Sequence, residues 1–177
     1  NNEIGLPLAV LEAPDDARFA VYEMGAGKPG DLAHLCAIAR PDVALVNNVG
    51  AAHLERMGSL LGVAQTKGAI YQALPDDGVA VVNADDAFAV YFSERLRGRR
   101  MIRFGIEAAA EVSARAIQAG IDGSRFVLVT PAGEVEVALP LAGRHNVRNA
   151  LAAAAMALAV GAGPDQIRAG LEASERV

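Results

Sequence analysis

Three stretches of the chain share one pattern. "RFAVYEMGA" (Arg18 to Ala26), "DVALVNNVG" (Asp42 to Gly50) and "GVAVVNADD" (Gly78 to Asp86) each run apolar and then break into polar and glycine residues. Short runs that are apolar on both faces suit buried parallel strands. Between them lie segments with helical spacing. "PGDLAHLCAIAR" places Leu32, Leu35 and Ala39 on one face. "SLLGVAQTKGAIYQAL" does the same with Leu60, Val63, Ala64, Ile70 and Leu74, and Ser59 stands where an N-cap belongs. Strands alternating with helices predict right-handed crossovers and a parallel sheet. "RRMIRFGI" (Arg99 to Ile106) predicts a further strand.

The texture then changes. "EVSARAIQAGIDGSRFVLVTPAGEVEVALPL" alternates with period two and carries turn signals at Asp122-Gly123 and Ala132-Gly133, which predicts a small antiparallel sheet. After "AGRHN", the nearly uninterrupted Ala, Leu and Met of Val147 to Val160 predict a buried helix. Pro164 opens one more. The fold class is therefore α/β: a parallel sheet flanked by helices, with a small antiparallel β subsheet.

Composition adds limits. With 177 residues, 53% hydrophobic and 21% charged, the chain can bury a core as one domain. A net charge of −5 gives no general reason to expect a nucleic acid partner. The single cysteine, Cys36, excludes an internal disulfide and a cysteine-built zinc cluster, and suits a reducing compartment. No apolar run approaches the ~20 residues of a membrane span. The opening "NNEIGLPLAVLEAP" reads as the middle of a longer chain.

Ligands of open parallel sheets sit beyond the carboxyl ends of the strands. Three polar strand ends would converge on one such edge: Glu23; Asn47, Asn48 and His53; and Asn83, Asp85 and Asp86. A carboxylate and an imidazole there could hold a hard cation bound to phosphate oxygens. The same residues also fit a plainer reading, with Glu23 capping a helix and the Asn and Asp residues making turns. Lys67, one of only two lysines, falls on the helix after His53 and could equally be a solvated helix lysine. His34 falls on a helix, at the surface or in packing.

Three motifs carry a resemblance: "YEMGAGKPGDLAHL", "RPDVALVNNVGAAHLERMGSLLGVAQTKGAIYQALPDDGVAVVNADD" and "LAGRHNVRNALAAAAMAL". In that order, over nearly the whole chain, they resemble the Mur ligase family. The pairing of "EMGA" with "AHLE" points to the branch that adds D-alanyl-D-alanine to a UDP-N-acetylmuramoyl tripeptide. The resemblance implies an ATP- and magnesium-dependent amide ligase of peptidoglycan synthesis in the cytoplasm, working through an acyl phosphate. It implies Glu23 and His53 as magnesium ligands. It implies Lys67 as a carbamylated lysine that gives an anionic oxygen ligand to a second magnesium. It also implies His145 and Asn146 near the nucleotide and Asn149 against adenine. Asn149 and His145 also fit a cap on the Ala-rich helix, whose first turn leaves N–H groups unsatisfied.

Departures from the family pattern shape the expectation. The glycine-rich P-loop, G-x-x-x-x-G-K-[ST], is nowhere in the chain. Residues 1–177 are therefore expected to be a partial, P-loop NTPase-like central ATP-binding domain, without the P-loop segment, the N-terminal UDP-binding domain or the C-terminal domain. By itself it is expected to be inactive. Ala69 stands where relatives carry Glu after the "KG". Two alternatives remain: another amide ligase of the superfamily, such as a folylpolyglutamate synthase, or a degenerate binding module that kept the fold and lost catalysis.

Overall fold

The third apolar run becomes the interior of the sheet. In a computed structural model, which describes residues 1–51 and 54–175, strand β2 (Val79–Asn83) is buried along its whole length. It lies between β1 (Val43–Val46) and β3 (Arg100–Gly105), parallel to both. β3 pairs parallel with β4 (Val112–Ala119) over two residue pairs only, Phe104–Val112 and Gly105–Ser113. From β4 the sheet turns antiparallel through β5 (Ser124–Thr130) to β6 (Gly133–Leu139). The predicted antiparallel subsheet is thus continuous with the parallel one, in the order β1-β2-β3-β4-β5-β6.

The two-residue period of β2 decides what each face packs against. Val79 and Val81 point to one side and join Ile102, Phe104 and Val112, under α6 (Arg144–Ala159) with Val147, Leu151 and Ala154. Ala80 and Val82 point to the other side, against α4 (Leu60–Gln72) and α5 (Ala89–Arg95), where Ala64, Tyr71 and Phe92 meet them. Burying each such valine contributes about 1.5–3 kcal/mol, so a charge at Val81 would unmake the sheet's centre. Helix α6 starts three residues before the predicted Val147, and its inner face, Val147, Ala150, Leu151, Ala154 and Ala155, is buried. Small side chains let it cross β1 through β5 closely. Helix α7 (Pro164–Glu172) begins at Pro164, as predicted, and packs on β6.

The remaining helices flank the β1 side: α1 (Gly5–Leu11), α2 (Asp31–Ala39) and the short α3 (Leu54–Met57). Ser59 caps α4, its hydroxyl accepting from the Gly62 amide at 3.1 Å.

One predicted strand does not form. Arg18 to Ala26 has no ladder partner among the described residues. Its alternation is present: Tyr22, Met24 and Ala26 pack against Leu6, Leu32 and Leu35, while Val21 is 87% exposed. An extended segment becomes a strand only with another backbone to bond, and here its packed neighbours are helices. Helices α1 and α5 carry no strong helical period in the sequence and were not predicted.

Candidate functional site

The carboxyl ends of β1 and β2 meet the start of α6 around a hollow of about 350 Å³. Asn47, Asn48, Asn83, Asp85, Asp86, His145, Arg148 and Asn149 line it. This is the edge where the open-sheet rule places a ligand.

Helix α6 opens at Gly143, whose φ is +90°. A side chain there would be strained, and a Cβ would stand 2.8 Å from the His145 ring. Glycine therefore lets the helix start directly at the hollow, with its unsatisfied amides nearby. Asn149, in the second turn, accepts from Nδ2 of Asn47 at 3.2 Å. Asn146 is turned back, donating from Nδ2 to the Ala142 carbonyl at 2.8 Å. The site thus brings Asn149 against β1, while Asn146 serves the helix start.

The loop after β1 is held at three consecutive residues. Asn83, buried at the end of β2, donates from Nδ2 to the Asn47 carbonyl at 2.8 Å. Lys67 Nζ donates to the Asn48 carbonyl at 2.8 Å. Asp86 accepts from the Val49 amide at 2.8 Å. Lys67 therefore reaches the backbone at the predicted edge.

Lys67 and Tyr71 lie four residues apart, on one face of α4. The buried Tyr71 hydroxyl donates to the Val81 carbonyl at 2.6 Å and accepts from the Val46 amide at 3.0 Å, clipping β1 to β2. Burial raises its pKa well above that of a free phenol, so it stays neutral.

The two aspartates after β2 both accept from backbone amides. Asp85 accepts from the amides of Ile106 at 2.7 Å, Glu107 at 3.0 Å and Ala108 at 2.8 Å. Arg148 Nε stands 3.7 Å from it. Burial pushes its carboxyl up, but those three amides and Arg148 together outweigh burial and hold it below the usual carboxylate range. Gly105 must be small here, since a Cβ would lie 2.9 Å from Asp85 Oδ1. Asp86 also accepts from the Phe88 amide at 2.8 Å. The turn-forming reading holds for the Asp86–Phe88 contact alone; the other bonds tie the end of β2 to the loops after β1 and β3.

Glu23 lies within the extended segment, between the packed Tyr22 and Met24, and its side chain is 91% exposed. His53 lies outside the described residues. Among the described residues no three His, Cys, Asp or Glu side chains cluster as a metal site. His34 is exposed on α2. Arg148 and Tyr71 were missed by sequence reasoning. An arginine inside an otherwise Ala-rich helix, and a tyrosine one turn beyond Lys67, were the available signals.

Fold and hollow define an open-sheet α/β domain with a polar hollow at the carboxyl ends of its parallel strands. Residues 1–157 match the family model described as Mur ligase middle domain, and the chain belongs to that family. It is 45% identical over 172 residues to the UDP-N-acetylmuramoyl-tripeptide–D-alanyl-D-alanine ligase of Escherichia coli (strain K12), covering 97% of this chain and 38% of that protein. A crystal structure of MurF from Acinetobacter baumannii superposes with a TM-score of 0.95 at 37% identity, over 100% of this chain and 39% of the other. The MurF ligase from Thermotoga maritima, solved in complex with ADP, gives 0.84 at 29% identity, over 100% and 40%. The chain thus spans well under half the length of these relatives. No helix among the described residues is long and apolar enough to cross a membrane.

Proposed function

We propose that this chain is the greater part of the central ATP-binding domain of a cytoplasmic ligase of peptidoglycan synthesis. The complete enzyme would join D-alanyl-D-alanine to a UDP-N-acetylmuramoyl tripeptide. ATP would convert the tripeptide carboxylate to an acyl phosphate, which the incoming amine attacks. A UDP-recognition domain, the P-loop and a C-terminal domain belong to the complete ligase and not to residues 1–177.

The observation that carries the reading is the meeting of Asn47 and Asn149 at one hollow, with Lys67 bonded to the backbone of Asn48, which also lines it. Lys67 comes from the "KG" motif on α4, Asn149 from "GRHNVRNALAA" on α6, and they meet at the end of β1. A hollow lined by amides, an imidazole, a guanidinium and two backbone-bound carboxylates at a helix start fits a polar ligand such as a nucleotide better than an apolar one.

Magnesium bound with nucleotide phosphates needs only one or two protein oxygens, the rest being phosphate and water. The family resemblance gives that part to Glu23, His53 and a carbamylated Lys67, Glu23 being exposed and outside the lining of the hollow. Carbamylation joins the neutral Nζ to the carbon of CO2, moves one C–O electron pair onto oxygen and releases one proton. It turns a repelled ammonium into an oxygen donor. Magnesium, when bound, supplies neutralisation of phosphate charge. His145 and Asn149 hold the base side of the nucleotide.

In the complete ligase, Lys67→Ala is expected to lower kcat by about a hundredfold or more, without rescue by bicarbonate. Parent-like turnover in that variant overturns the role of Lys67. Residues 1–177 alone are expected to bind magnesium-ATP very weakly in a calorimetric titration, since P-loop amides supply much of the phosphate affinity. Tight stoichiometric binding would contradict the assignment of phosphate cradling to a segment outside this chain.

A further inference from the structure

We propose that Asp86 is a positioning residue that sets Lys67 through the backbone of the loop after β1; the inference rests on the site reading above. Three consecutive residues of that loop are pinned from three places. Asn83 at the end of β2 holds the Asn47 carbonyl, Lys67 on α4 holds the Asn48 carbonyl, and Asp86 beyond β2 holds the Val49 amide. The Asn48 carbonyl belongs to the same peptide unit as the Val49 amide. Planarity of that unit means that fixing one group aims the other. Asp86 therefore grips one end of the peptide whose other end receives the lysine amine.

Asp86 is itself anchored. Its second oxygen accepts from the Phe88 amide at 2.8 Å, just before α5. Asp85 reaches the opposite way, to Ile106, Glu107 and Ala108. Adjacent carboxylates at the end of the central strand thus hold the loops of both neighbouring strands. The role assigned to Asp86 is geometric. It needs an acceptor oxygen at Val49 and does not need the negative charge.

The test compares Asp86→Ala and Asp86→Asn in the complete ligase, with Lys67→Ala alongside. Three readouts are taken: kcat against KM for ATP, thermal midpoint, and the carbamate resonance of Lys67 after 13C-bicarbonate labelling. Misplacing a reacting group by about 1 Å costs up to about a hundredfold. Asp86→Ala is therefore expected to lower kcat by about ten- to a hundredfold, to change KM for ATP less than about threefold, and to weaken the carbamate signal. Asp86→Asn keeps one acceptor oxygen, which can stay on the Val49 amide while its NH2 is set against Phe88, and is expected to recover most of both. Should Asp86→Ala fail to fold, Asp86→Asn still decides: parent-like turnover and carbamate support a geometric role, and loss of both in a folded Asp86→Asn overturns it. An Asp86→Ala enzyme with a lowered thermal midpoint but parent kcat and carbamate overturns it too. An active Lys67→Ala enzyme overturns the site reading itself. An inactive one beside a parent-like Asp86→Ala overturns the positioning inference alone.

Discussion

Replacing Asp85 should show how strongly one carboxylate binds the end of β3 to the rest of the fold. Its Oδ2 accepts from the Ile106 amide at 2.7 Å, and its Oδ1 accepts from Glu107 at 3.0 Å and Ala108 at 2.8 Å. Only 7% of the side chain is exposed. Asp85→Ala leaves three donors without their acceptor. Glu107 is exposed and water can serve it, while Ile106 and Ala108 are half-buried. At about 1–2 kcal/mol for each of those two, the loss comes to about 2–4 kcal/mol. Arg148 is set aside, because its contact is long and its side chain partly solvated. For a chain of this size that is a fall of about 5–15 °C in Tm. Asp85→Asn can keep its oxygen on Glu107 and Ala108 and sets an amide NH2 against Ile106, so it should lose about 1–2 kcal/mol. Urea titration followed by circular dichroism measures both. Equal losses for Ala and Asn, or less than about 0.5 kcal/mol for Ala, would refute the reasoning. The pH dependence follows in sign. The folded carboxyl is held below its ordinary value of 3.8. Its contribution is fully present above that value and fades as pH falls through the folded pKa. Asp85→Asn should flatten that part of the acid limb.

Two further changes test local claims. Gly105→Ala puts a Cβ 2.9 Å from Asp85 Oδ1 and should cost about 1–3 kcal/mol by the same titration; combined with Asp85→Ala, much of that penalty should disappear, because the clash is gone. Ser59→Ala removes the hydroxyl that accepts from Gly62 and should cost about 1 kcal/mol, with unchanged Tm counting against a stabilising cap.

The sequence was most legible where one period held over a whole element. β2 read as buried because every position is apolar up to Asn83, and α6 because its small residues leave no polar stripe wide enough for a surface helix. Arg18 to Ala26 misled for the opposite reason. Alternation specifies an extended backbone with one packed face, and says nothing about whether a second backbone lies alongside. Lys67 could be placed at the sheet edge from its motif, but its partner could not, since the Asn48 carbonyl is a backbone group that any residue would provide. The aspartates show the same limit. Asp85 and Asp86 look alike in "NADD", yet one reaches toward β3 and the other toward β1, a distinction fixed only once both loops are in place.

The narrow join between β3 and β4 has a consequence for the order in which the molecule assembles. β4, β5 and β6 are neighbours in sequence as well as in the sheet, linked by tight turns, so their rungs close short loops. β1 and β2 meet only after α3 and α4 have been laid across the gap, a far longer loop to close. Only Phe104–Val112 and Gly105–Ser113 connect the two regions through the ladder. Because loop-closure entropy favours local pairings, the meander should gain amide protection first in pulsed hydrogen exchange during refolding. The edge around the hollow, made from the long-range strands and α6, would then be the last part of the protein to become solid.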